Sequence, residues 1–312
     1  MKVRIIGSAA GGGFPQWNCN YHLSRKARTG KGGVEPRTQS SIAASADGKD
    51  WVLFNASPDI REQIARNPAL QPRVDGALRN SPIKAVVLTN ADVDHIAGLL
   101  TLREKQPFNL YASRRILDVL ASNPVFNVLD ADLVRRIELP MGGVTQIEGP
   151  DGPLGIEVET YVVPGKIALF LEDGSDPVNF GSEEGDTIGV RIGEPGAAAD
   201  RQLHYIPGCA RVTDGLRERV SGAGCLLFDG TVFTDSEMPD AGIGTKTGQR
   251  MGHIAMTGKD GSMAAWAQAS IGRRIYVHIN NTNPVLDPAS DQRKAAEAAG
   301  WEIGRDGQEI EL

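Results

Sequence analysis

In the stretch LTNADVDHIAGLL, Leu88 to Leu100, side chains able to hold a cation crowd into a few positions: Asn90, Asp92 and Asp94 offer hard oxygens and His95 an imidazole. Oxygen donors beside one nitrogen suit a divalent ion, and a carboxylate among them suits proton transfer. The competing use of Asp-x-Asp-His is a solvated turn whose carboxylate caps a helix. Adjacent Asp94 and His95 would point to opposite faces of a strand and could not share an ion there. From a loop they can.

The elements around this stretch are legible in outline. The apolar run Ala85 to Leu88 reads as a short buried strand, Thr89 opens the polar loop, and the apolar series Ile96 to Leu102 signals a helix. The mouth of such a strand is where α/β folds build sites. Upstream, Val3 to Ile6 forms an opening strand that ends in GSAAGGG. Its spacing does not fit GxGxxG and no Walker lysine-serine pair follows, so the glycines read as room for close backbone passage rather than as a phosphate cradle. Trp51 to Phe54 follows an Asp47-Gly48 turn, Ser57 and Pro58 open a helix, Leu110 to Ala112 is a strand, and Ser113 caps a helix reaching Leu120. Further strands run Ile156 to Val163, Ile188 to Ile192, Leu203 to Ile206, Cys225 to Phe228 (ending at Asp229-Gly230-Thr231) and Arg274 to Val277. The acidic, glycine-containing segment Asp173 to Asp186 is long enough for a lid or a surface loop. Trp301 to Leu312 reads as a hairpin-like tail around Asp306-Gly307. Many short strands interspersed with helices, in two similar halves, predict two packed sheets covered by helices, in one domain over residues 1–312.

The last strand ends at His278, followed by Asn280, Asn281, Thr282 and Asn283, whose amides can orient a ligand or a water. His278 alone would read equally as a buried strand-end histidine. The glycine loop GIGTKTGQRMGH carries Lys246 and Arg250 ahead of His253, a candidate proton donor or acceptor. Arg37, Lys246 and Arg250 are candidate carboxylate anchors, although each would also serve as a surface charge. His204, inside a strand, reads as structural. Cys19 and His22 offer two zinc donors where a closed site needs four.

Composition excludes several classes. With 312 residues, 40% hydrophobic and 23% charged, the chain has the balance of an ordinary globular protein. A net charge of −6 and an aromatic content of 5% disfavour nucleic-acid binding. No apolar run approaches the length of a membrane span, and the start is too short for a signal-peptide core, so a cytoplasmic location is expected. Three widely spaced cysteines argue against a disulfide framework.

The blocks RIIGSAAGGGFPQWNCN, PRTQSSIA, NASPDIR, LTNADVDHIAGLLTLRE, YIPGC, LLFDGT, GTKTGQRMGHI and VHINNTNP follow in series across nearly the whole chain. In that series the chain resembles the coenzyme PQQ synthesis protein B family, whose fold is metallo-β-lactamase-like. The resemblance implies an α/β architecture, an αββα sandwich of two mixed sheets flanked by helices. It also implies a place in making pyrroloquinoline quinone (PQQ) from a cross-linked glutamate–tyrosine precursor. Hydrolases of the parent superfamily carry HxHxDH after the same strand and bind two metals. Here the register is Asn90-x-Asp92-x-Asp94-His95, which keeps the final pair and replaces both leading histidines. The superfamily layout brings that pair to a late strand-end histidine, here His278. Two imidazoles and one carboxylate suit a single Fe(II) with oxygen and disfavour a di-zinc hydrolase.

The expected activity is then an iron- and oxygen-dependent hydroxylation of the tyrosine-derived ring. Asp94, His95 and His278 would hold the metal, and Asp92 and His253 would move protons. Arg37, Lys246, Arg250, Asn280 and Asn281 would bind substrate. The partners would be PQQ or its glutamate–tyrosine-derived precursor, and molecular oxygen; a homodimer is left open. One alternative is a carrier for PQQ or its precursor, with no redox metal. The other is a hydrolase with Asp92 and Asp94 on a harder ion. Relatives often hold a structural zinc with Cys-x-Cys-x-x-Cys after the WN pair. This chain keeps Cys19 but has Tyr21 and Ser24 next, which leaves that zinc doubtful and His22 as the obvious substitute.

Overall fold

The structure, a computed structural model, describes residues 1–172 and 184–312. Most of the expected acidic loop, residues 173–183, lies outside the described residues. Two seven-stranded mixed sheets face each other among the described residues. The first contains β1 (Lys2–Gly7), β2 (Ser41–Ser45), β3 (Trp51–Phe54), β4 (Ile83–Val87), β5 (Phe108–Ala112) and β6 (Val134–Glu138). The second contains β7 (Val144–Gly149), β8 (Gly152–Val162), β9 (Ile188–Gly193), β10 (Leu203–Ile206), β11 (Cys225–Asp229), β12 (Arg273–Val277) and β13 (Glu302–Ile303). The final strand, β14 (Gln308–Glu311), returns to the first sheet beside β1.

From β14 across to β6, three antiparallel pairings give way to three parallel ones; from β7 to β13 the same sequence recurs. The halves anticipated from sequence are thus two sheets of matching pattern, in which β4 and β11 occupy equivalent places. The tail differs from expectation. Asp306-Gly307 does not close a hairpin but carries the chain from the second sheet to the first, since β13 pairs with β12 and β14 with β1.

Alternation explains the packing. In β8, Ile156 and Val158 point into the core between the sheets with Val190, Tyr205 and Leu227. On its other face, Glu159 pairs with Arg191 at 2.7 Å. The parallel strands β4 and β11 are buried on both faces, so they read as continuous apolar runs. Two outer apolar layers complete the sandwich. One packs Val86, Leu88 and Leu110 against Ile60 of α2 (Ile60–Arg66), Ile96 of α3 (Val93–Ile96) and Ile116 of α4 (Arg114–Ser122). The other packs Leu226, Phe228 and Tyr276 against Leu216, Trp266 and Trp301.

Local signals held at α4, where Ser113 accepts a hydrogen bond from Ile116 N–H. They shifted at α2, which begins at Ile60 with Asp59 at its N-cap, two residues beyond the expected Pro58. Ser57 instead accepts from Asp59 N–H at 3.2 Å in a turn ahead of the helix. No helix among the described residues is long and apolar enough to cross a membrane.

Candidate metal centre

β4 delivers the chain to the loop Leu88–Asp92, and the helical turn starts at Val93, earlier than its apolar periodicity suggests. Asp92 stands at the N-cap without a capping hydrogen bond from its side chain, and its carboxylate accepts from Asn90 Nδ2 at 3.3 Å. The turn is pinned to the end of β3: Ala56 N–H donates to His95 O at 2.7 Å and Gly98 N–H to Ala56 O at 2.8 Å. Gly98 is required there, because a Cβ would lie 2.2 Å from Ser57 O.

Asp94, His95 and His278 converge from the ends of β4 and β12, with donor atoms all within 4.8 Å of one another. Asp94 Oδ2 lies 3.1 Å from His278 Nε2 and 3.6 Å from His95 Nε2. His95 Nδ1 sits 2.6 Å from Asn90 Oδ1, an acceptor, so Nδ1 carries the proton and Nε2 keeps its lone pair. That Nε2 is buried and has no hydrogen-bond partner among the described residues. A buried polar atom left unmatched is costly unless a ligand meets it. His278 takes φ = 57°, a left-handed conformation rare outside glycine and asparagine, and such outliers gather at sites where geometry is imposed.

Electrostatics favour cation binding. Burial pushes the His95 imidazole down to about 4, keeping it neutral and able to ligate. Burial works to raise the Asp94 carboxyl, but His95 and His278 outweigh it and hold the group below the usual carboxylate range. Burial lowers the His278 imidazole, and its hydrogen bond to Asp94 more than restores it, so the net shift is upward. The proton shared by His278 and Asp94 is the one that a bound cation replaces.

Behind these residues stands a second layer of which the sequence reading singled out only His253, not Asp229 or Thr231. Asp229, fully buried at the end of β11, accepts from His253 Nδ1 at 2.7 Å, Cys209 N–H at 2.8 Å and Thr231 N–H at 3.0 Å. Thr231 Oγ1 donates to Asp229 at 2.7 Å and lies 2.8 Å from His278 Nδ1. The His253 ring stacks on His278, with centroids 5.1 Å apart and planes at 25°. Asp229, His253 and His278 also lie close enough to form a three-donor group. Their Nδ1 atoms are engaged by Asp229 and Thr231, which marks this group as support for the imidazoles. The available signal was LLFDGT, an aspartate closing an apolar strand, where burial demands partners.

A cavity of about 330 Å³ opens over the centre. Asp92, Lys246, His253 and Asn280 line it, as does Lys166, another residue the sequence reading did not single out. Three expected binding residues do not line it. Arg37 is buried, donates to Gly304 O and Ser8 Oγ, and is pushed down to about 10 by that burial. It secures the crossover after β13. Asn281 donates to Gly13 O and accepts from Gln16 N–H, both at 2.8 Å, and so holds the glycine-rich loop. Arg250 is not among the lining residues and pairs with Glu172 at 3.0 Å. His204 is structural: Tyr161 Oη lies 2.8 Å from its Nδ1 in the interior. His22 is exposed at the start of α1 (His22–Thr29), and Cys19 is buried. Neither joins a three-donor cluster among the described residues.

Comparison with known proteins agrees with this architecture. The beta-lactamase superfamily domain family matches residues 50–279. "Coenzyme PQQ synthesis protein B" of Methylobacterium nodulans is 54% identical over the full length of both chains, and that of Xanthomonas oryzae pv. oryzae is 47% identical, again full length. The crystal structure of zinc-bound PqqB from Methylobacterium extorquens superposes with a TM-score of 0.93, at 52% identity and full coverage of both chains. Zinc in that relative leaves the doubt about zinc without support. A diphosphatase of the PhnP family shares the fold alone, at 18% identity and a TM-score of 0.67, covering 100% of this chain and 97% of that one. The chain belongs to the coenzyme PQQ synthesis protein B family, built on the beta-lactamase superfamily fold.

Proposed function

We propose that this protein acts in PQQ biosynthesis as a mononuclear iron enzyme that hydroxylates a tyrosine-derived ring with molecular oxygen. The observation that carries the reading is the lone pair of His95 Nε2, buried and unmatched beside Asp94 and His278. Two neutral imidazoles and a carboxylate are the donor set that suits non-haem Fe(II) with open coordination positions. Asn90 and Asp92, in place of the superfamily's imidazoles, disfavour a second metal beside it. When bound, Fe(II) supplies the activation of oxygen that amino-acid side chains cannot.

The remaining work falls to the chain. His253 Nδ1 is held on Asp229, so its Nε2 is free to take the phenolic proton of a ring in the cavity. Asp92 lines the same cavity and is a second candidate for that proton. Lys246 meets substrate carboxylates and Asn280 orients the ring's oxygens. In the overall change a ring C–H becomes C–OH with one atom of oxygen. The other atom leaves as water, with two electrons and two protons from an external reductant such as ascorbate. The test is anaerobic loading with Fe(II) or Zn(II), then exposure to oxygen, ascorbate and a tyrosine-derived substrate. Oxygen uptake that needs both iron and the ring supports the reading. Equal turnover by the zinc form, or substrate binding without uptake in either form, refutes it and favours hydrolysis or carriage.

A further inference from the structure

Glu172 carries two cations on one carboxylate beside the cavity that Lys166 lines: Lys166 Nζ at 2.9 Å and Arg250 Nη2 at 3.0 Å. The cations come from separate segments, Lys166 following β8 and Arg250 in the turn ahead of His253. Lys166 also lines the cavity, as Lys246 does. Its stem is seated against Gly252, where an added Cβ would come within 2.8 Å of Lys166 Cγ. The site is therefore built, with its lysine confined to one path over the turn that carries His253. A carboxylate bridging an ammonium and a guanidinium has the geometry that a ligand's carboxylate would adopt at the same place.

We infer that Lys166 and Arg250 form a carboxylate-binding site beside the cavity, reached through Lys166, which Glu172 fills until a polycarboxylate ligand displaces it. The inference rests on the proposed substrate class and deepens it. Glu172 keeps the two cations apart while the cavity is empty, and it rejects ligands with too little negative charge to compete. Burial works against its ionisation, yet Arg250 and Lys166 hold the carboxyl down to about 2, so the internal competitor is charged at every working pH.

The experiment titrates the metal-free full chain with benzene-1,3,5-tricarboxylate by calorimetry at low salt. Glu172→Gln preserves size and one acceptor while removing the competing charge, and its affinity should be about tenfold above that of the unaltered chain. Glu172→Asp should bind as the unaltered chain does. The gain should vanish in Glu172→Gln/Lys166→Gln and shrink at about 0.5 M salt, where screening is strong. If Glu172→Gln binds equally or more weakly while circular dichroism shows it folded, Glu172 is a structural latch and the inference is overturned. An unchanged gain after loss of Lys166 overturns it too. Binding to neither chain refutes the substrate class itself, whereas binding without a gain leaves that reading standing and removes only this one.

Discussion

Thr231 Oγ1 lies 2.8 Å from His278 Nδ1, and the same hydroxyl donates to Asp229 Oδ1 at 2.7 Å. The hydroxyl proton goes to the carboxylate, so its lone pair accepts from Nδ1–H and turns His278 Nε2 toward Asp94, where Nε2 offers its lone pair once a cation replaces the proton it shares with that carboxylate. One threonine thereby sets the tautomer of a candidate metal ligand. Thr231→Val keeps the shape and removes the junction. Metal affinity should fall by about ten- to a hundredfold, while the metal-free fold loses only about 1 kcal/mol. Equilibrium dialysis against Fe(II) under nitrogen, with urea unfolding of the same samples, measures both; unchanged affinity would show that Thr231 does not orient the ring.

His278 combines a ligand atom with a left-handed backbone, and substitutions separate the two. Asparagine tolerates positive φ better than alanine, so His278→Asn should fold with near-normal stability and His278→Ala should be weaker by about 1 kcal/mol. Both should lose metal. Stoichiometric iron in His278→Asn after desalting would remove His278 from the ligand set.

Glu237, in α6 (Glu237–Asp240), offers a pH test away from the metal centre. Burial raises its carboxyl to about 7, although Thr282 Oγ1 and Phe233 N–H donate to it. Its folded value lies above the unfolded 4.5, so its contribution to stability is full below 4.5 and is lost as pH rises through 7. Glu237→Gln mimics the protonated acid. It should nearly match the unaltered chain near pH 4.5 and exceed it at pH 8 by on the order of 3 kcal/mol in urea unfolding. A difference that does not vary with pH would contradict the assignment.

The loop after β4 was legible because the hydrophobic pattern breaks where the donors cluster, and His278 because it ends the last long apolar strand. Other parts depend on contacts that local pattern does not encode. Asp229 looks like a turn residue in sequence, and its role arises from His253, 24 positions on, and from Thr231, whose partner His278 is 47 positions further. Arg37 reads as an exposed anchor until the C-terminal crossover covers it. Asp306-Gly307 gives the same signal for a hairpin and for a passage between sheets. Only the pairing of β14 with β1 separates them.

The most direct test of the account follows the oxygen atom. The Fe(II)-loaded chain is supplied with ¹⁸O₂, ascorbate and a tyrosine-derived substrate in unlabelled water, and the product is weighed by mass spectrometry. The account predicts one ¹⁸O in a newly formed ring hydroxyl, with label absent from the Asp94→Ala and His278→Asn variants. A product carrying oxygen from water alone, or labelled product formed equally by those variants, would contradict it.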